Sequence, residues 1–166
     1  MTSLFLIALC VHADPLDSTT PRDRHPLAPS LPLLTPAEEA ALDKIIDRFI
    51  SADTGKIAGK EAKSALDDFR DLGPEASFAL IRGFNKAAHI NHSCPALTIS
   101  RKLTGFMRKT ADTELLLYTK ENIGLGARNT KYADVIQEIK LGCSIRITAL
   151  KNAPIPKFDN RLRTIK

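Results

Sequence analysis

Side chains of the kinds that do chemistry crowd into one short stretch, His89-Ile-Asn-His92-Ser93-Cys94-Pro95-Ala96. Histidine and cysteine are ligands that zinc accepts, and Cys94 beside His92 has the residue types of a thiol nucleophile with its base. Neither reading is complete. A zinc site needs a fourth ligand; the spacing matches no finger, and the sole distant thiol of the folded region is Cys143. His89 and His92 share a face only if a helix runs on past His89, and Ser93-Cys94-Pro95 signals that it has ended. A nucleophile needs a third group to orient its base and an oxyanion loop, and no glycine-rich segment accompanies Cys94. Asn91-His92-Ser93 is formally a glycosylation triplet, but Ser93 is better placed to cap the helix that follows.

The other candidates are weaker still. Gly124-Leu125-Gly126 follows a helix rather than a strand and lacks the third glycine of a nucleotide loop. Glu38-Glu39 and Asp67-Asp68 are adjacent on helices, where neighbours diverge by about 100° and cannot act as an acid–base couple. No catalytic residue, metal ligand or cofactor is therefore expected. The chemistry left open at Cys94 is a disulfide to Cys143, should the chain reach an oxidising compartment.

The elements that position this stretch are helical. Thr35-Pro36-x-Glu38 is a capping box with proline at the first helical position. Leu42, Ile45, Ile46, Phe49 and Ile50 then make one apolar stripe. Thr54-Gly55 breaks that helix. Ala62, Ala65, Leu66, Phe69 and Leu72 mark the next, with Gly73 suited to a left-handed helix end and Pro74 to a new start. Ala76, Leu80, Ile81, Phe84 and Ala88 carry a third helix, and Ala96, Ile99, Leu103, Phe106 and Met107 a fourth. Asp112 caps a short fifth bearing Leu115, Leu116 and Leu117, closed by Gly124. A last helix spans about Lys131 to Leu150, with Val135, Ile136, Ile139, Cys143, Ile147 and Leu150 inward. No segment alternates with period two, so no sheet is expected. Short links between amphipathic helices make successive ones antiparallel. The expected fold is all-α.

The joint "ALDDFRDLGPEASFALIRGF" carries a further signal: an apolar helix end, Leu72-Gly73-Pro74-Glu75-Ala76, then Leu80-Ile81. This resembles the HEAT repeat family, closely over residues 60–88, where a Leu-Gly-x-x-Ala element joins the two helices of a repeat. The resemblance implies antiparallel hairpins stacked as a short α-solenoid or irregular bundle over 35–152. It implies a scaffold or binding surface for a protein partner, and no catalytic residue.

The flanks differ in composition. Leu4 to Val11 is an apolar run of leader length, followed by Val11-His12-Ala13 with small residues where a signal peptidase reads. Residues 1–13 thus read as a signal peptide that would send the protein to the periplasm or outside; without one it would be cytoplasmic. Nothing is long enough to span a bilayer. Residues 14–34 are rich in Pro, Ser, Thr and Asp and read as an unstructured linker, with His25 lying in it without a role. The tail 153–166 is basic through Lys157, Arg161, Arg163 and Lys166 against Asp159.

At 166 residues, 43% hydrophobic, the chain suits one modest domain. With 5% aromatics and no Trp, its core must be aliphatic. A net charge of +5 is short of a dedicated nucleic-acid arm, and Lys102, Arg108 and Lys109 on one helix lack the interleaved aromatics of a single-strand binder. Protein interaction is the leading reading. The competing ones are a metal- or thiol-dependent protein centred on His89, His92 and Cys94, and a weak binder of anionic polymers.

Overall fold

The structure, a computed structural model, describes residues 22–90, 94–127 and 131–153. Among these residues the helices pack in pairs. α1 (Pro36–Asp53) and α2 (Gly59–Asp71) make the first pair, α3 (Ser77–Ala87) and α4 (Pro95–Lys109) the second, α5 (Thr113–Asn122) and α6 (Ala133–Lys151) the third. The fold is all-α, as the apolar periodicity predicts. The leader 1–13, the tail from 154 and Asn91, His92 and Ser93 lie outside the described residues.

Local chemistry sets the helix ends. The Thr35 hydroxyl accepts the Glu38 N–H at 3.3 Å, and Glu38 Oε2 accepts the Thr35 N–H at 2.8 Å, closing the capping box. Asp112 Oδ1 accepts the N–H groups of Glu114 and Leu115 at 3.0 and 3.1 Å and starts α5. At Gly73 the expectation of a left-handed helix end fails: its φ is −91°. Glu75 folds back to accept the Gly73 N–H at 3.0 Å, and a Cβ at this position would make that carboxylate move aside. A single 3-10 turn, Pro74–Ala76, then leads into α3. Gly124 does take the left-handed conformation, with φ +76°, and any Cβ there would strike Ile136.

The pairs stack with a fixed sense. On α1 and α3, Arg82 reaches Glu39 and Asp43 at 3.3 and 3.0 Å, and Lys86 reaches Asp47 at 2.6 Å. Both series rise together, so α1 and α3 run parallel. On α4 and α6, Arg146 Nε donates to the Thr110 carbonyl at 3.0 Å, pairing the two C-terminal ends; these helices are parallel as well. Antiparallel within a pair and parallel between pairs is the arrangement of a layered helical array. The ion pairs are exposed and contribute little each. The stacking energy comes from the buried side chains of Ile46, Leu80, Phe84, Ile99, Leu103, Leu115 and Leu116 between the layers.

Two expectations are corrected. The chain does contain a small sheet, the antiparallel ribbon β1 (Arg24–His25) and β2 (Ala28–Pro32). It lies inside the segment expected to be an unstructured linker, of which residues 22–34 are ordered. The prolines fit because both strands of a two-stranded ribbon are edges, where a missing N–H costs no ladder bond. The ribbon is held by what it covers. Ala28 and Leu31 are buried, and the His25 ring packs on Phe78 at 4.3 Å. The Ser30 N–H donates to Asp112 Oδ2 at 2.8 Å, at the start of α5. Burial pushes the Asp112 carboxyl up, but the bonds from Ser30, Leu115 and Glu114 outweigh it and hold it below its ordinary value. The stabilisation from that carboxylate is therefore present above the ordinary Asp pKa and lost as pH falls through its lower, folded value.

Leu66, read as part of the apolar stripe of α2, is exposed, and so is Leu117 on α5. Each belongs to a helix that has a neighbour on fewer sides than its apolar residues could cover. α2 buries only Ala65 and Phe69.

Candidate docking surface

The stretch that invited chemistry is a corner between helices. His89 is exposed just past α3, facing Gly126 across the turn after α5. Cys94 is exposed at the N-cap of α4, with Pro95 at the first helical position, and its side chain makes no cap bond. Its thiol lies against the hydroxyl of Tyr132, the N-cap residue of α6. Burial pushes the Tyr132 phenol up; the Cys94 thiol adds to that, while Lys131 acts the other way. Among the described residues no three His, Cys, Asp or Glu side chains come together closely enough to hold a metal ion.

Cys94 and Cys143 are both free thiols. Tyr132 places Cys94 at the start of α6, and Cys143 lies about 16 Å further along that helix at 1.5 Å per residue. Bridging requires Cα atoms within roughly 7 Å. Burial pushes the Cys143 thiol up to about 11, with Lys120 opposing. Because that folded value lies above the ordinary 9.0, the contribution is full below pH 9.0 and lost as pH rises toward 11. Of these two thiols, native protein should therefore expose only Cys94 to an alkylating reagent, with Cys143 reacting on unfolding; peptide mapping separates both from Cys10. The loss of stability above pH 9.0 should be shallower in Cys143→Ala. Two slow thiols, or none in either state, would contradict this arrangement.

The basic face expected on α4 is also reduced. Lys102 does not project into solvent as a free cation. Its Nζ donates to the Arg70 carbonyl at 2.7 Å and sits 5.5 and 5.6 Å from the ring centres of Phe69 and Phe106. Burial lowers its pKa, against Asp71 and Glu75, which raise it. It ties α4 to α2, leaving Arg108 and Lys109 exposed.

The most exposed apolar surface lies on α6. α6 is apolar on two sides. Ile136, Ile139, Cys143 and Ile147 face the core, while Leu141 and Ile145 point the opposite way, each 61% exposed. No other large hydrophobic side chain among the described residues is as exposed. Beside this ridge runs a groove of about 470 Å³ between α6 and α4. Met107, Ile139 and Cys143 contribute to its lining, and so does Gly142, with open space where a side chain would stand. Glu138 borders it toward the start of α6, and Arg108 and Arg146 toward the other end.

Comparison with protein families, characterised proteins and solved structures finds no match.

The surface must then be judged on its own chemistry. Its polar side chains are Thr104, Arg108, Glu138 and Arg146, its one thiol is the buried Cys143, and its apolar ridge lies beside the seam between α6 and α4. Its signal was present in the sequence: Leu141 and Ile145 are spaced i and i+4 directly opposite Cys143. The six inward positions take one side of that helix, so its two remaining large apolar residues face out. Among the described residues no helix is long and apolar enough to cross a membrane, so a bilayer-spanning role does not account for them.

Proposed function

We propose that this chain is a HEAT-like, non-enzymatic interaction module that docks a protein partner on the ridge and groove of α6 and α4. The observation that carries the reading is the pair Leu141 and Ile145, 61% exposed on the last layer of a stack. Exposing two large apolar side chains side by side forgoes burial worth about 1.5–3 kcal/mol each, which a partner would recover. The parallel stacking of α1 on α3 and α4 on α6 supports the HEAT-like part of the proposal. Among the described residues α6 packs on α5 and α4, and its side that carries Leu141 and Ile145 is exposed.

A photo-crosslinking residue placed at position 145 tests this, with a second placed at exposed Glu61 on α2 as the control. Protein adducts are expected from position 145 and not from 61. Equal adducts from both positions, or none from 145, would overturn the proposal.

A further inference from the structure

We infer that the occupant of this surface is a second copy of the same chain, docked about a two-fold axis that crosses α6 between Leu141 and Ile145. The inference rests on the docking reading above and names its partner. The argument is the distribution of charge along the ridge. Glu138 stands at one end; Arg108 and Arg146 stand at the other. Along α6, Glu138 and Arg146 are separated by about 12 Å at 1.5 Å per residue. A two-fold axis through the middle reverses that order in the partner, so each copy's acid meets the other copy's bases at both ends. Head-to-head pairing thus makes the surface complementary to itself, as an isologous contact requires.

The shape agrees. Leu141 and Ile145 form a ridge, and the groove beside it is a depression of about 470 Å³ on the same face. The axis sets each copy's Leu141 against the other's Ile145 and brings the two grooves face to face beside that contact. Gly142 adds nothing that would hold the helices apart, and interhelical distance follows the side chains at the crossing. Among the described residues neither Glu138 nor Arg108 has an ion-pair partner within its own chain. Arg146 is partly committed, since its Nε holds the Thr110 carbonyl.

The test is the mass of the full chain by sedimentation and light scattering over a wide concentration range. The wild type should be a dimer, and Ile145→Glu should be a monomer with unchanged helical content and melting of the helices. Glu138→Arg alone and Arg108→Glu alone should each weaken self-association at least about tenfold, since each places like charges at both ends of its own homodimer. An equal mixture of the two variants should restore the dimer, because both ends then pair acid with base. A wild type that is monomeric throughout, an Ile145→Glu dimer, or a mixture that fails to associate would overturn the inference. If the wild type is monomeric while position 145 still crosslinks to a different protein, the docking reading stands and the self-association falls.

Discussion

Phe84→Ala should lower the unfolding free energy by about 3–5 kcal/mol. Phe84 is fully buried on α3, in the middle layer of the stack, and its ring meets Tyr132 edge-on at 6.4 Å. The substitution removes a large apolar volume from a position where α1 lies on one side and the start of α6 on the other. Three packed elements cannot all move in to refill it, so most of the cavity persists. Since small domains have only about 5–15 kcal/mol in total, the variant should be marginal at room temperature. Urea denaturation followed by circular dichroism gives the number. A loss below about 1.5 kcal/mol would show that the layers repack freely, contrary to a close-packed core.

Asn85→Leu should cost about 2–4 kcal/mol, although it replaces a polar residue by an apolar one of similar size. The Asn85 amide closes both sides of the turn between α5 and α6. Its Oδ1 accepts the Gly124 N–H at 2.7 Å, and its Nδ2 donates to the Asn122 carbonyl at 3.0 Å. Gly124 is buried, and the left-handed backbone there has no other way to turn its N–H toward a neighbour in α3. Removing the amide strands the Gly124 N–H in a buried turn and leaves the Asn122 carbonyl with only the long bond from the Leu125 N–H at 3.4 Å. The damage should be local before it is global. Amide exchange should accelerate from Ile123 to Ala127 more than in α1 or α2. An Asn85→Leu protein with wild-type stability and unchanged exchange in that turn would show that the amide is dispensable.

The helical stripes were legible because their determinants are local. The capping box at Thr35 and Glu38, the Asp112 cap and the spacing of Leu42, Ile46 and Phe49 all lie within a turn or two of what they control. The stacking was not legible, because its determinants lie far apart. Asp47 and Lys86 are 39 residues apart, and nothing near either announces the other. The ribbon at Arg24–Pro32 escaped for a related reason: its alternation amounts to Ala28 and Leu31, and its partner, Asp112, is 82 residues from Ser30. Gly73 shows the opposite error. A glycine after a helix is usually read for its backbone freedom, and here the backbone is at φ −91° with the Glu75 carboxylate folded over it. At the candidate site, the sequence gathered His89 and Cys94 by proximity along the chain. The ridge of Leu141 and Ile145 depends instead on which sides of α6 have neighbours, and α4 and α5 are far from it in the chain.

The N-terminal ribbon bears on how the molecule comes apart. A stack of helical pairs in which each touches only the next is a one-dimensional array, and such arrays open from their ends, layer by layer, without a single sharp transition. This chain begins differently. Residues that immediately precede the first pair cross the second, where His25 covers Phe78, and fasten to the third at Asp112. Peeling α1 and α2 away therefore also pulls the Ser30 N–H off the Asp112 carboxylate that caps α5, and fraying α5 releases the segment that leads into α1. The strap joins the two ends of a linear stack into a loop of mutual dependence, and makes three layers melt as one cooperative unit.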